Sequence, residues 1–190
     1  MSENKFMKRL YKPHDFHRLL SELVSSAGDT RRAPKDARIS HQFAERIMMA
    51  VTEVNGCRYC FYFHTQVSLR AGMNKEEISR ILDGDFNGAP DDELAALYFA
   101  QHYAESGGKP NPDAIQCMID AHGEIRTREI TAVIRAIMIG NAWGNMFDAL
   151  RHRLRGEPKP DVTIWDEMGV LLGPLVMVPW VLVSMLFKNG

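Results

Sequence analysis

The sequence has no excess of either charge. Its 190 residues hold 23 Lys and Arg against 24 Asp and Glu, a formal charge of -1. That balance provides no chain-wide basic field for nucleic acid and no acidic surplus for buffering calcium. Three cysteines are too few for a disulfide framework and leave at least one thiol unpaired. The opening stretch MSENKFMKRLYKPHD has no apolar run, so no secretory leader is expected and the address it predicts is cytoplasmic. No glycine fingerprint for a dinucleotide or phosphate occurs, and nothing ahead of Pro158 alternates convincingly with period two. A Rossmann-type sheet is therefore not expected. What remains is 45% apolar and 25% charged, a globular composition. A chain of this size buries roughly 70% of its extended surface, enough for one ordinary core.

The apolar residues that are present recur at helical spacing. Phe16, Leu19, Leu20, Leu23 and Val24 mark a first helix, with Asp15 as its expected cap. Gly28 and Pro34 are expected to break it, leaving a polar loop with Arg31, Arg32, Lys35 and Arg38, either solvated or a basic patch for an anionic partner. A second helix opens near Ser40 or His41, with an inner stripe of Phe43, Ile47, Val51 and Val54, and Asn55-Gly56 stops it. A third runs from Cys57 to about Ala71. Asn74 and Glu77 have capping-box spacing ahead of Ile78, Ile81 and Leu82. Asp91, Asp92 and Glu93 suit the first turn of a helix whose inner face is read as Leu94, Leu97, Tyr98 and Gln101. Pro112 opens the next, with Ala114, Met118 and Ile119 turned inward. After Gly123 comes the longest pattern, capped at Thr127. Ile130, Val133, Ile134, Ile137, Met138, Asn141 and Asn145 share its broad face up to about Leu154. The two asparagines suit helix capping or subunit packing. The fold class read from this is all-α. Its division is an N-terminal helix and polar loop over 1–39, a helical core over 40–157 and an apolar tail over 158–190.

The chemistry concentrates in GCRYCFYFHTQVSLRAG. Cys57 and Cys60 are three residues apart and His64 lies four beyond, so all three share one side of a helix. Both thiols sit in its opening turn, where orphan N–H groups and the dipole stabilise a thiolate. His64 can shuttle the proton. Spacing alone leaves three readings open: a redox-active dithiol, a zinc site completed by His64 and a distant ligand such as His41 or Cys117, or ordinary buried thiols. Tyr59, Phe61, Tyr62 and Phe63 flank the pair, either as core or as walls of an apolar substrate pocket. Glu45 is either a solvated acid or one held against the stripe beside it.

The interval from Glu45 to His64 resembles the core of the AhpD-like, or carboxymuconolactone decarboxylase-like, superfamily. Glu45, Cys57, Cys60 and His64 meet the Glu-x11-Cys-x2-Cys-x3-His pattern of its alkylhydroperoxidase branch. The flanking AGMNKEEI and the later RTREITAVIRAIMIGNAWGNMFDAL are similar as well, so the resemblance runs over about 40–155. It implies an AhpD-like all-helical unit, assembled into a homo-oligomer. By position it implies Cys60 as the peroxidatic thiol, Cys57 as its resolving partner, and Glu45 with His64 as the proton relay. That branch has a further histidine between its cysteines, whereas this chain has Arg58 and Tyr59. Arg58 reads either as a surface cation or as a group that holds an anion.

The function the resemblance implies is a thiol-dependent peroxidase that reduces hydroperoxides through a dithiol/disulfide cycle. An external dithiol, of lipoyl type or a small redox protein, would restore it. Such a cycle needs no metal, flavin or haem cofactor. Three alternatives stand beside it: a general dithiol-disulfide oxidoreductase, a carboxymuconolactone-type decarboxylase, and a non-catalytic assembly or membrane-tethering protein. The last draws on the tail. Met168 to Phe187 is twenty residues without a charge, about 30 Å as a helix and just enough to span a bilayer. Pro174 and Pro179 interrupt it. Packing within an oligomer and membrane association through 168–187 are both expectations for this segment.

Overall fold

The computed structural model describes residues 8–32, 39–157 and 161–188. Among these the chain is all-α, with no strand. The helices are α1 (Pro13–Arg32), α2 (His41–Asn55), α3 (Arg58–Arg70), α4 (Lys75–Leu82), α5 (Leu94–Glu105), α6 (Pro112–Leu154) and α7 (Ile164–Lys188). A single 3₁₀ turn, Asp91–Glu93, leads into α5.

Local chemistry fixes most of the boundaries. Ser40 caps α2 by accepting the Phe43 N–H at 3.0 Å. Asn74 accepts the Glu77 N–H at 2.8 Å, and Asn111 the Ala114 N–H at 2.7 Å with Pro112 just behind it. Gly56 ends α2 in the left-handed region, φ 67°, and its N–H reaches the Thr52 carbonyl at 2.9 Å. α6 bends at Gly123, whose φ of 74° and ψ of 162° no helix contains.

Several expectations are corrected. α1 runs on through Gly28 to Arg32. It packs along α6 and α7, and that outweighs the roughly 1 kcal/mol helix penalty of one glycine. Its first residue is Pro13, so Asp15 lies within the first turn and does not cap it. Pro34, Lys35 and Arg38 lie outside the described residues, as do the side chains of Arg31 and Arg32. Thr127 is no cap either: it is buried inside α6 and donates to the Met118 carbonyl at 2.9 Å, across the bend. In α5 the buried face is Ala96, Leu97, Phe99, Ala100, Tyr103 and Ala104, while Tyr98 is exposed.

The second half of α6 is the axis of the molecule. Its stripe of Ile130, Ile134, Ile137, Met138, Ala142, Met146 and Ala149 is buried, and α1, α2, α3, α5 and α7 all pack on α6. α2 is held in rotation by a buried cation: Arg46 donates to Glu77 at 2.7 Å and to Glu93 at 2.9 Å, tying it to α4 and the start of α5. Breaking such a pair by removing one partner would strand a buried charge. Asn141 and Asn145 are fully buried in α6 and work within the chain. Asn141 accepts the Thr52 hydroxyl at 3.2 Å; Asn145 donates to the carbonyls of Asn55 at 2.7 Å and Arg9 at 3.0 Å. This replaces the capping or subunit-packing role expected for them.

α7 continues through Pro174 and Pro179. Its beginning is seated on the chain's own core. Val170 is buried, Glu167 is buried and forked onto Arg153 at 2.9 and 3.0 Å, and the Leu171 carbonyl accepts the Trp143 indole N–H at 3.2 Å. Gly169 and Gly173 allow close approach to α1, since a Cβ there would stand 2.8 Å from Pro13 and 2.9 Å from His17. Leu172, Leu175 and Val176 face outward. Among the described residues, no helix is long and apolar enough to cross a membrane.

Candidate active site

The Asn55-Gly56 turn delivers the chain into α3 with Cys57 as the N-cap residue. Its sulfur takes the place of a capping oxygen and accepts the Cys60 N–H at 3.3 Å. The two sulfurs lie 2.7 Å apart as free thiols. Cys57 is fully buried and Cys60 half-buried. This proximity requires Gly144 of α6: a Cβ there would stand 2.7 Å from the Cys57 sulfur and 3.8 Å from that of Cys60.

The pair is electrostatically unequal. The Cys57 pKa is lowered to about 7, first by the hydrogen bond from Cys60, then by backbone N–H groups of Cys60 and Tyr59 and the charge of Lys8, with burial opposing. Cys60 is pushed far above the ordinary thiol range, because its proton is held by Cys57, because it is buried, and because the Cys57 charge repels a second anion. Ionisation of the pair is therefore favoured at Cys57 over Cys60.

His64, two turns into α3, is buried, and its Nδ1 lies 2.8 Å from Glu45 Oε2. Glu45 is only 3% exposed, so the solvated alternative for this acid is excluded. A carboxylate can only accept, which puts hydrogen on Nδ1; in the neutral imidazole the lone pair is then on Nε2. His41 Nε2 stands 3.7 Å from the other Glu45 oxygen.

Cys60 and His64 share a cavity of about 560 Å³ between α2, α3 and α6. Met48, Tyr59, Phe63, Ile137, Trp143 and Phe147 wall it, and Trp143 stacks on Phe147 with centroids 6.3 Å apart. Among the described residues no Lys, Arg, Asp or Glu lines it. Tyr59 and Phe63 thus belong to the pocket, whereas Tyr62 is 71% exposed. Phe61 lines a separate cleft of about 340 Å³ together with Cys57, Thr52, Glu53, Arg58 and Leu82.

The four sequence-derived residues are therefore brought together. His41 reaches only Glu45, and Cys117 is exposed on α6; neither joins the thiols. Among the described residues no three His, Cys, Asp or Glu side chains assemble as a metal site. Sequence reasoning missed Lys8, Gly144 and Asp148. Asp148 is buried, and Lys8, Arg58 and Tyr59 all donate to its carboxylate. Arg58 is accordingly anchored to a buried acid rather than merely solvated. A signal for Asp148 was present: it extends the inward register of Asn141 and Asn145 by one further turn.

Residues 22–101 match the model of the carboxymuconolactone decarboxylase family. The AhpD-like resemblance read from Glu45 to His64 thus holds at the level of the superfamily. The match is to the family as a whole, which includes enzymes, and not to one of its branches. No curated protein and no solved structure matches the chain.

Proposed function

We propose, taking the family match over residues 22–101 as premise, that this chain is a thiol-dependent peroxidase working through a Cys57/Cys60 dithiol. The observation that carries the reading is the pairing of two chemically unequal thiols with a buried Glu45–His64 relay around one apolar cavity. Cys60, the thiol on the cavity, is the attacking group. Its raised pKa means that it needs a base, and His64, oriented by Glu45, supplies one. The Cys60 sulfur attacks the distal oxygen of a hydroperoxide, the O–O bond breaks, and the leaving alkoxide takes the proton from His64 to depart as alcohol. Cys60 is then a sulfenic acid. Cys57, already ionised near neutrality, attacks that sulfur and expels hydroxide, which becomes water on protonation. The net change is one hydroperoxide reduced to alcohol and water, and two thiols oxidised to one disulfide. An external dithiol then reduces the disulfide by exchange.

The cavity also bears on the alternatives. An acid lactone would bring a carboxylate, and the walls described offer it no Lys or Arg. A neutral apolar hydroperoxide, or the neutral ring of a lipoyl-type disulfide, meets walls of its own kind. Stopped-flow oxidation of the reduced chain by cumene hydroperoxide and by a small disulfide tests the reading. Faster reaction with the hydroperoxide supports it. Reaction with the disulfide alone makes the protein a general dithiol oxidoreductase instead. Lactone decarboxylation that survives loss of both cysteines would overturn the thiol mechanism altogether.

A further inference from the structure

The proton relay does not account for the polar groups gathered at the start of α3. Asp148, one turn beyond Gly144 on α6, accepts from Lys8 Nζ, from Arg58 Nη2 and, at 3.1 Å, from the Tyr59 hydroxyl. His152 Nε2 stands 3.9 Å from the same carboxylate. Burial works against the Asp148 anion, yet the bonds from Lys8 and Tyr59 and the charge of Arg58 keep its pKa below the usual value.

Lys8 arrives on a short strap that is fastened to the turn preceding Cys57. Arg9 N–H donates to the Asn55 carbonyl at 3.2 Å, Asn145 donates to the Arg9 carbonyl at 3.0 Å, and the Tyr11 hydroxyl reaches Asn55 at 3.3 Å. Arg58 and Tyr59 are the two residues between the cysteines. One buried acid thus connects the strap, the CxxC helix and the central helix. We infer that Asp148 is the positioning residue of the dithiol, gathering Lys8, Arg58 and Tyr59 into one cluster that keeps net positive charge beside Cys57.

The sign of the effect distinguishes positioning from direct action. Lys8 and Arg58 carry two positive charges and Asp148 one negative. If the cations stayed in place without Asp148, the Cys57 thiolate would be favoured further. If Asp148 is what holds them, its loss releases the Lys8 ammonium and the half-exposed Arg58 guanidinium from the cluster. The thiolate then loses support. Cys60 on α3 bonded to Cys57, Glu53 on α2 in the same cleft as Cys57, and His152 on α6 beside Asp148 remain in every variant.

The inference bears on function through the dithiol reading above, but its test needs no peroxide. In a reduced Cys117→Ser background only the motif thiols titrate, and their thiolate absorbance is followed against pH. The parent midpoint is expected near 7. Asp148→Asn and Lys8→Met should each raise it by about one pH unit, and the double variant should move no further than the larger single. Loss of packing alone would lower thermal stability without this pattern. A midpoint that falls in Asp148→Asn, or stays put in both variants, overturns the assignment. If Asp148→Asn does not fold, Lys8→Met, at a partly exposed position, decides by the same shift. Raised midpoints in a chain inert to hydroperoxides would sink the peroxidase reading and leave the positioning role standing.

Discussion

A carboxylate 2.8 Å from an imidazole nitrogen, both buried, has few purposes besides fixing a tautomer. Glu45→Gln should therefore preserve the helices while slowing sulfenate formation at Cys60 by about a hundredfold, within the range general-base assistance supplies. His64→Ala should cost a similar factor, and the double variant should lose much less than the product, because one relay is removed only once. Stopped-flow measurement of all three rates checks this; fully multiplicative losses would argue against a shared relay. In the proposed cycle the second chemical step has its own pH dependence. Cys57 is lowered to about 7, so the resolving thiolate is present above that pH and is lost by protonation below it. Sulfenate lifetime, followed by rapid trapping, should lengthen as pH falls through about 7. These four residues were legible because their spacing lies within two consecutive helices and one turn. Asp148 showed only its inward register; its partners were not legible, because its bonds to Arg58 and Lys8 join residues 90 and 140 positions apart. Only the packing of α6 against α3 and the strap creates them.

At the scale of the element, α3 works because something small faces its first turn. Gly144→Ala places a methyl 2.7 Å from the Cys57 sulfur. That should cost about 1–3 kcal/mol of stability, as overpacking does. It should also spread the two thiols and slow disulfide closure; denaturant unfolding and the closure rate read the two effects separately. Ser40→Ala removes the cap of the helix that carries Glu45 and should cost about 1 kcal/mol. Capping and turn signals such as Ser40, Asn74, Asn55-Gly56 and Pro112 were readable because each is satisfied within three or four residues. The misread positions depend on distant partners. Gly28 stays helical because α1 lies against α6 and α7. Thr127 bonds back to Met118 across the Gly123 bend instead of capping. Tyr98 is turned outward while Phe99 takes the core.

For the whole molecule, the open question is how the apolar outer surface is covered. Leu175 and Val176 are each 73% exposed on α7, and Trp143, Phe147 and Phe63 are exposed around the cavity. Exposed apolar area of this kind marks a contact surface. The chain is expected to self-associate through it into a closed oligomer, so sedimentation should give a mass above that of one chain; a concentration-independent monomer would contradict this. Deleting residues 166–190 removes the Glu167 partner of Arg153 and uncovers Pro13 and His17 of α1. It should lower the melting temperature by several degrees or more while part of the dithiol chemistry survives. If the full chain instead sediments with membranes at high salt and is released only by detergent, the outer face of α7 binds lipid rather than another copy. The all-helical class was readable from periodicity. The seating of α7 was not, since twenty uncharged residues look alike whether they face a core, a neighbour or a bilayer.

The central claim is that Cys60 takes the oxygen and Cys57 closes the disulfide, although Cys57 is the thiol that ionises first. Titrating the reduced protein with hydroperoxide and mapping the products by mass tests this most directly. The account predicts one equivalent consumed and two hydrogens lost between Cys57 and Cys60. It further predicts a single oxygen gained at Cys60 in Cys57→Ser, and no rapid gain in Cys60→Ser. Oxygen appearing first on Cys57 in Cys60→Ser, or thiols left unchanged by excess peroxide, would contradict it.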